Sequence, residues 1–436
     1  MSEGTVFAAR RARVLDALGD DAAMILSAAP ELRSGPDGEV RYVPDASFYW
    51  LTGYTEPDAV LVLCPSCEEG SFILFVRPRD PEREVWTGPR GGVEAAQDVY
   101  GADVAWPVAE LKQRLHVLAH VSALYARVDG VRPDVDGEIL AVLNAGRHGR
   151  ARTGAGPHML IDPGVLLDDM RLVKDATEIA RIREAARISV EAFHDAAVRI
   201  APGAGEWQVE AALDGGFRAR GAFGPAFPTI VAGGTNATVL HYTANDATLA
   251  AGQLVLVDAG ARAGMYCADI SRTFPASGRF TPDQRDLYDA VLGAHAAAIA
   301  AVCPGNTIEH VFDAALHALL DALIWFRFVE GPRDRLLEDP ASYRRFCPHR
   351  SSHWLGLDVH DVGSYRMKGG EPRRLVAGMV LTIEPGLYVP SDAPGPATLA
   401  GTGIRIEDDV LVTDEGHDVL TAALAVAATA IEALMD

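Results

Sequence analysis

Three histidines crowd the stretch His349-Arg350-Ser351-Ser352-His353-Trp354-Leu355-Gly356-Leu357-Asp358-Val359-His360. Imidazole ligates metals and moves protons near neutral pH, so this density marks a segment suited to chemistry. Four carboxylates, distant in sequence, offer it partners: Asp258 and Asp269 before it, Glu384 and Glu407 after it. Each lies at or near the end of an apolar, β-branched run. Asp258 closes Leu254-Val255-Leu256-Val257, and Asp269 follows eleven positions later, beyond a glycine-containing turn, so hairpin pairing would bring the two together. Two carboxylates in an apolar setting repel, and they take up protons unless a cation neutralises them. Glu384 follows Val380-Leu381-Thr382-Ile383 and precedes Pro385-Gly386; Glu407 follows Ile404-Arg405-Ile406, where alternation puts Arg405 and Glu407 on one strand face. Taken singly, each acid also reads as a salt bridge or strand-end cap. Converged, their charge of about −4 is matched by two divalent cations. An oxygen-rich set with a single imidazole suits Mn²⁺ better than a structural zinc site would. One histidine among four such acids makes the donor set of a two-metal hydrolytic site.

Other chemistry-bearing residues read as structural. His116 and His120 are four apart, the spacing of paired zinc ligands on a helix, but the residues between them lack the glutamate of a metalloprotease motif. Cys64 and Cys67 form a Cys-x-x-Cys pair in a Pro-Ser turn between two strand-like runs, with no second pair to complete a zinc site. Five cysteines, an odd number in a long chain, point to a reducing compartment rather than a disulfide framework. Trp86 and the run Phe48-Tyr49-Trp50 read as core or interface residues.

The elements that must position the acids fall into two regions. Residues 1–171 alternate helical and strand-like runs: a helix from Val6 to Leu18, then strands at Ala22–Leu26, Ala59–Leu63 and Ser71–Val76, an α/β pattern. From 172 to 436 the pattern changes. Asp175 and Glu178 have capping-box spacing before a long amphipathic helix, and a second helix spans Glu206 to Ala219. Strand-like pieces follow at Thr229–Ala232, Thr238–Tyr242, Leu254–Ala259 and Met265–Phe274. Thr281-Pro282-Asp283-Gln284 caps further helices running to Trp325. Residues 327–348 read as a charged surface excursion; Met379–Val389 and Gly403–Val412 read as strands before a C-terminal helix. The order helices, strand pair, helices, strand pair suggests two similar halves, each giving two carboxylates.

Composition sets outer bounds. The 436 residues are 49% hydrophobic and carry 60 acidic against 39 basic side chains, a formal charge of −21. Such a balance disfavours nucleic acid or an anionic membrane as partner and favours a cytoplasmic protein. No run is long and apolar enough to span a bilayer, and the first residues lack the pattern of a signal peptide.

His241-Tyr242, the Asp258 and Asp269 pair, His349 to Asp361, Thr382-Ile383-Glu384-Pro385-Gly386-Leu387-Tyr388 and Gly403-Ile404-Arg405-Ile406-Glu407-Asp408 together resemble the motifs of the pita-bread metallopeptidases. Within these the chain is most similar to the proline-specific branch, the Xaa-Pro aminopeptidases. The resemblance is strong from about residue 172 onward and piecemeal before it. It implies an α/β N-terminal domain (1–171) followed by an α+β pita-bread, creatinase/aminopeptidase-like catalytic domain (172–436). It implies two divalent metal ions, most simply Mn²⁺, held by Asp258, Asp269, His353, Glu384 and Glu407. Asp269 and Glu407 would bridge the two metals, Asp258 would bind one, and His353 and Glu384 the other. His241, His349, His360 and Arg405 match substrate-handling and proton-relay positions, and Glu384 would also shuttle a proton.

The substrates so implied are peptides with proline in the second position, cut before that proline. A homo-oligomer is implied too, since in this family a neighbour's first domain can help to wall the site, which gives Trp86 a use. Arg350 and Ser351 stand where the family more usually has small or apolar residues, so the pocket for proline and beyond is where this chain is expected to differ. A prolidase acting on Xaa-Pro dipeptides would share every ligand. A non-catalytic binding protein on the same fold would not need the intact set, and a methionine aminopeptidase would not need a first domain of this size. Gly401-Thr402-Gly403 precedes a strand rather than a helix, so it lacks the context of a phosphate-binding loop.

Overall fold

The computed structural model describes residues 3–35, 38 and 40–436. The chain separates into two compact units, residues 1–171 and 172–436. In the first, the apolar runs form a six-stranded mixed sheet from β1 (Ala22–Ser27), β2 (Val60–Leu63), β3 (Phe72–Val76), β4 (Val104–Pro107), β5 (Ala123–Tyr125) and β6 (Met159–Ile161), in the order β4-β3-β2-β1-β5-β6. Strands β1, β2 and β3 pair antiparallel; β4 joins β3, and β5 joins β1, in parallel. Ile25, Val62, Ile73 and Phe75 on these strands pack with Leu111, Leu115, Val135 and Ile139 from helical segments. Phe48 and Trp50 are buried, as a core reading requires, but Trp86 is 87% exposed on the helix Pro81–Thr87. Cys64 and Cys67 are joined by a disulfide that closes the turn between β2 and β3, which corrects the reading of this pair as a plain turn. Their Cα atoms are 5.5 Å apart, a span that suits a disulfide. His120 lies against the same turn, its Nε2 2.9 Å from Ser66 Oγ.

The second unit contains β7 (Gly224–Pro225), β8 (Ile230–Gly233), β9 (Leu254–Ala259), β10 (Ala261–Ala263), β11 (Tyr266–Cys267), β12 (Ile270–Pro275), β13 (Val380–Ile383), β14 (Gly386–Val389), β15 (Thr402–Arg405), β16 (Asp408–Val412) and β17 (His417–Val419). Its pairings are all antiparallel: β8 and β12 flank β9, β13 and β17 flank β16, and β14 pairs with β15. Both predicted capping boxes form. The Asp175 side chain accepts from the Thr177 and Glu178 amides at the head of the helix Ala176–Ala197, and Thr281 with Gln284 does the same for Pro282–Ala300. Those helices, with Glu206–Ala219 and Ile308–Trp325, cover one face of the strands.

Strand β9 is buried along its whole length, yet its two faces differ. Val255, Val257 and Ala259 join the helix-packed core, whereas Leu256 packs with Ile230, Ala232, Ala237 and Tyr388 on the other side. Asp258 lies two residues beyond Leu256 and therefore faces that second side. Gly260 follows, where a Cβ would meet the Ala268 carbonyl oxygen at 1.7 Å, so only glycine lets the chain cross beneath Asp269.

Three expectations change. Thr238–Tyr242 is not a strand: a 3₁₀ turn, Gly234–Thr238, follows β8, and His241 lies on a loop. The runs at Met265–Phe274, Met379–Val389 and Gly403–Val412 are each interrupted, and Asp269, Glu384 and Glu407 sit in the interruptions. Residues 327–348 are only partly a surface excursion, because Phe328, Leu336, Tyr343, Phe346 and Cys347 are buried in the core and Phe326, Phe328 and Phe346 stack in sequence. The charge of this segment hid its aromatic anchors.

Lys174, just before the long helix, pairs with Asp361 at 3.0 Å, both side chains almost wholly buried. The pair ties the residue after His360 to the start of the helical layer. Removing the cation would leave a buried carboxylate without it, so Lys174→Met is expected to cost about 3–5 kcal/mol, read from urea unfolding midpoints. A loss under about 1 kcal/mol would mean that water already compensates Asp361.

Candidate metal centre

A cavity of about 650 Å³ opens on the face of β9 that carries Leu256 and Asp258. His241, Asp258, Asp269, His349, His353, His360, Glu384, Arg405 and Glu407 all line it, and Phe227, Pro228, Ile230, Leu240 and Val359 add an apolar wall. Every residue singled out from sequence for ligation or catalysis is thus brought to one cavity.

Local backbone pairing explains the convergence. Asp258 on β9 is register-paired with Ser271 on β12, and Asp269 stands just ahead of that strand. Ile383 pairs with Asp408, and Gly386 with Arg405, so the breaks holding Glu384 and Glu407 face each other. The histidine segment runs along β13: the Thr382 amide donates to the His353 carbonyl at 2.9 Å, the Glu384 amide to the Ser351 carbonyl at 2.9 Å, and the Leu355 amide to the Val380 carbonyl at 3.1 Å. His353 is thereby locked beside Glu384. Its Nδ1 lies 3.1 Å from the Trp354 carbonyl, which makes it the N–H donor there and turns the Nε2 lone pair toward the acids, 3.4 Å from Asp269 Oδ2 and 3.8 Å from Glu384 Oε1. One donor atom each from Asp269, His353 and Glu407 lie within 4.8 Å of one another.

The electrostatics are those of a site short of positive charge. Burial, then the charges of Asp258, Asp409 and Glu384, push the Asp269 carboxyl well above the ordinary range. Burial, then Asp269, Glu384 and Asp258, do the same to Glu407. Glu384 is pushed up to about 7 by burial, against the pull of His353 and Arg405. Asp258 Oδ1 and Asp269 Oδ1 are buried and lack hydrogen-bond partners. Orphaned, buried carboxylate oxygens beside a directed imidazole lone pair fit divalent cations, which are hard acids that bind oxygen and tolerate one nitrogen. Burial also pushes His349 down to about 4, and burial with His353 and His241 lowers His360, so both rings are neutral at pH 7.

Three positioning residues were not foreseen. Tyr388, two residues past Gly386, places its hydroxyl 2.8 Å from His349 Nε2 and accepts from Arg405 Nη1 at 2.7 Å. Ser271, two past Asp269, donates to Glu407 Oε2 at 2.8 Å and accepts from Arg405 Nε at 2.8 Å. Asp409, two past Glu407, accepts the Asp269 amide at 3.3 and 3.2 Å. Each stands at i+2 from a landmark, so strand alternation is the signal that could have found them. Arg405 also ion-pairs with Asp258 through Nη2, at 2.6 Å.

Known proteins resemble the chain along nearly its whole length. The model of "Metallopeptidase family M24" matches residues 180–414, and that of "Aminopeptidase P, N-terminal domain" matches residues 7–125. The chain is 37% identical to the Xaa-Pro aminopeptidase of Escherichia coli K12 over 430 residues, covering 98% of this chain and 97% of that one. It superposes on the structure of Pseudomonas aeruginosa aminopeptidase PepP with a TM-score of 0.94 at 40% identity, covering 99% and 98% of the two chains. It superposes on an Escherichia coli aminopeptidase P variant in complex with substrate with a TM-score of 0.93 at 37% identity, again over 99% and 98%. Carboxylates, imidazole and cavity therefore lie in a metal-dependent hydrolase scaffold, and the chain belongs to metallopeptidase family M24, with an aminopeptidase P N-terminal domain preceding its pita-bread catalytic domain.

Proposed function

We propose that this protein is a dinuclear-metal aminopeptidase that releases the N-terminal residue from peptides with proline in the second position. The observation that carries the reading is the convergence of Asp258, Asp269, His353, Glu384 and Glu407 beside an apolar wall, with carboxylate oxygens left unsatisfied. Those five residues would hold two divalent cations, Mn²⁺ by the oxygen-rich donor set. The cations supply Lewis acidity, polarising the scissile carbonyl and acidifying a water.

The side chains do the rest. Phe227, Pro228 and Leu240 line the cavity beside the acids and offer a surface for a proline ring. His241 and His360 present imidazoles to the cavity, and neutral His360 can donate to a developing oxyanion. Glu384, on the cavity wall beside His353, can take a proton from the attacking water and pass it to the prolyl nitrogen, which as a tertiary amide has no proton of its own. Arg405 and Tyr388 hold His349 and Asp258 in place. We further propose that residues 1–171 and 172–436 are the two domains, and that the enzyme is cytoplasmic. No described helix is long and apolar enough to cross a membrane. We also propose that the helix Pro81–Thr87, with Val85 and Trp86 both more than four-fifths exposed, is a self-association face.

Purified protein is expected to hydrolyse Gly-Pro-Leu faster than Gly-Pro, to lose activity to a chelator and to regain it with Mn²⁺; turnover surviving exhaustive chelation would refute the reading. Glu384→Gln is expected to reduce kcat by at least about 100-fold with the fold intact by circular dichroism. Metal-free folding takes up protons, because Asp269 and Glu407 stay protonated where the unfolded chain has released them. Stability without metal should therefore fall as pH rises from about 4 through the raised carboxyl range, with the Glu384 contribution fading near 7. Adding Mn²⁺ at pH 7 should expel protons, measured by calorimetry in buffers of different ionisation heat; absent proton release would contradict it. Trp86→Glu is expected to shift the protein to a smaller species in light scattering, whereas an unchanged mass would place the association face elsewhere.

A further inference from the structure

The cavity is acidic at its centre, and its wall carries one cation that the chemistry above does not use. Two arginines line it. Arg405 is buried and committed through all three guanidinium nitrogens to Ser271, Tyr388 and Asp258. Arg350 is exposed, and its guanidinium makes no hydrogen bond or ion pair with any described residue. Its charge nevertheless reaches Tyr365, where it opposes the upward push of burial on the phenol. Arg350 and Ser352 also border a small cleft beside the cavity, walled by Ile308, Phe312 and Tyr365.

The backbone at this arginine is well anchored. His349 Nδ1 donates to the Arg350 carbonyl at 2.9 Å, and the next carbonyl, of Ser351, accepts the Glu384 amide. The guanidinium is thus carried on a backbone tied to His349 and Glu384. Under the reading above, a peptide places its N-terminal residue beside Asp258, Asp269, Glu384 and Glu407, and its remaining chain leaves past the cavity wall toward a negatively charged C-terminus. An unpaired planar guanidinium on the cavity wall matches a carboxylate bidentately.

We propose that Arg350 forms a carboxylate-binding subsite on the leaving side of the scissile bond, selecting peptides that present a free C-terminal carboxylate or an acidic side chain at the residue after proline. The proposal rests on the Xaa-Pro-Xaa reading above and adds which peptides are preferred.

The test uses full-length Mn²⁺-loaded enzyme and three substrates: Gly-Pro-Leu, Gly-Pro-Leu amide and Gly-Pro-Glu amide. The unsubstituted protein is expected to favour the free acid over the Leu amide by about tenfold in kcat/KM, carried by KM, with the Glu amide regaining part of the difference. Arg350→Ala should bring the acid-to-amide ratio close to one, Arg350→Glu should invert it, and Arg350→Lys should keep a fraction of it. A structural role for Arg350 would lower all substrates together and leave the ratio alone. A ratio unchanged in Arg350→Ala and Arg350→Glu overturns the proposal. Calorimetric titration with Pro-Leu and Pro-Leu amide, which needs no turnover, keeps the two readings apart. If no tripeptide is cleaved, the proposed function falls; the subsite stands only if Pro-Leu binds more tightly than its amide and Arg350→Ala abolishes that difference.

Discussion

Four carboxylates gathered in one largely buried cavity repel one another, and the rest of the catalytic unit is arranged to tolerate that repulsion. Burial, and then the charge of neighbouring carboxylates, push the Asp269 and Glu407 carboxyls well above their ordinary range, and one oxygen each of Asp258 and Asp269 is buried without a hydrogen-bond partner. A protein that keeps such a cluster must meet its charge with protons or with metal. The surrounding framework supplies only what keeps the acids oriented. Arg405 faces Asp258, Ser271 donates to Glu407, and the Asp269 backbone is held by Asp409. Beneath them the wholly buried Arg272 donates to the Glu407 carbonyl and pairs with Asp408, fastening β12 to β16. Of these contacts only Arg405 brings a positive charge to the cluster, at Asp258, so most of the cluster's charge is left to protons or to the metal ions for which this family is named.

The same constraint accounts for the interrupted strands. A regular strand would point successive side chains to opposite faces and spend every amide on its neighbour. Breaks at Asp269, at Glu384-Pro385 and at Ile406-Glu407 release the acids toward the cavity while the flanking residues keep their pairing. The histidine segment then uses the edge of β13, so that His353 and Glu384 are set by adjacent backbone hydrogen bonds rather than by long flexible side chains. Short rigid connections of this kind hold reacting groups in register at little entropic cost. His349 and His360 flank His353, each with a pKa lowered first of all by burial, which favours the neutral ring among the acids.

Much of this was legible in the residues themselves. The acids at the ends of apolar runs, the density of histidines and the two capping boxes are local patterns, and each survived folding because burial reinforced what propensity favoured. The segment 327–348 was misread because its charged residues outnumber its aromatic ones, yet Phe328 and Phe346 find partners only in three dimensions. Cys64 and Cys67 were read as a turn, and the turn is there; what sequence could not give was the approach of the two sulfurs and of His120, which arrives from a distant 3₁₀ segment. Trp86 could be core or surface by type alone, and only its helix's placement exposes it.

By itself the sequence determined the donor chemistry: oxygen-rich acids, a cluster of imidazoles and the apolar strands that carry the acids, because side-chain identity and period-two alternation are properties of the chain alone. Tertiary structure decided which groups share a space. It separated His353, turned toward the acids, from His349, which is spent on Tyr388 and the Arg350 carbonyl. It tied Arg405 to Asp258 and left Arg350 exposed on the same cavity wall. Apart from the Arg350 carbonyl, next to His349 in sequence, those distinctions depend on contacts between residues tens to more than a hundred positions apart, and no local pattern encodes a distance of that kind.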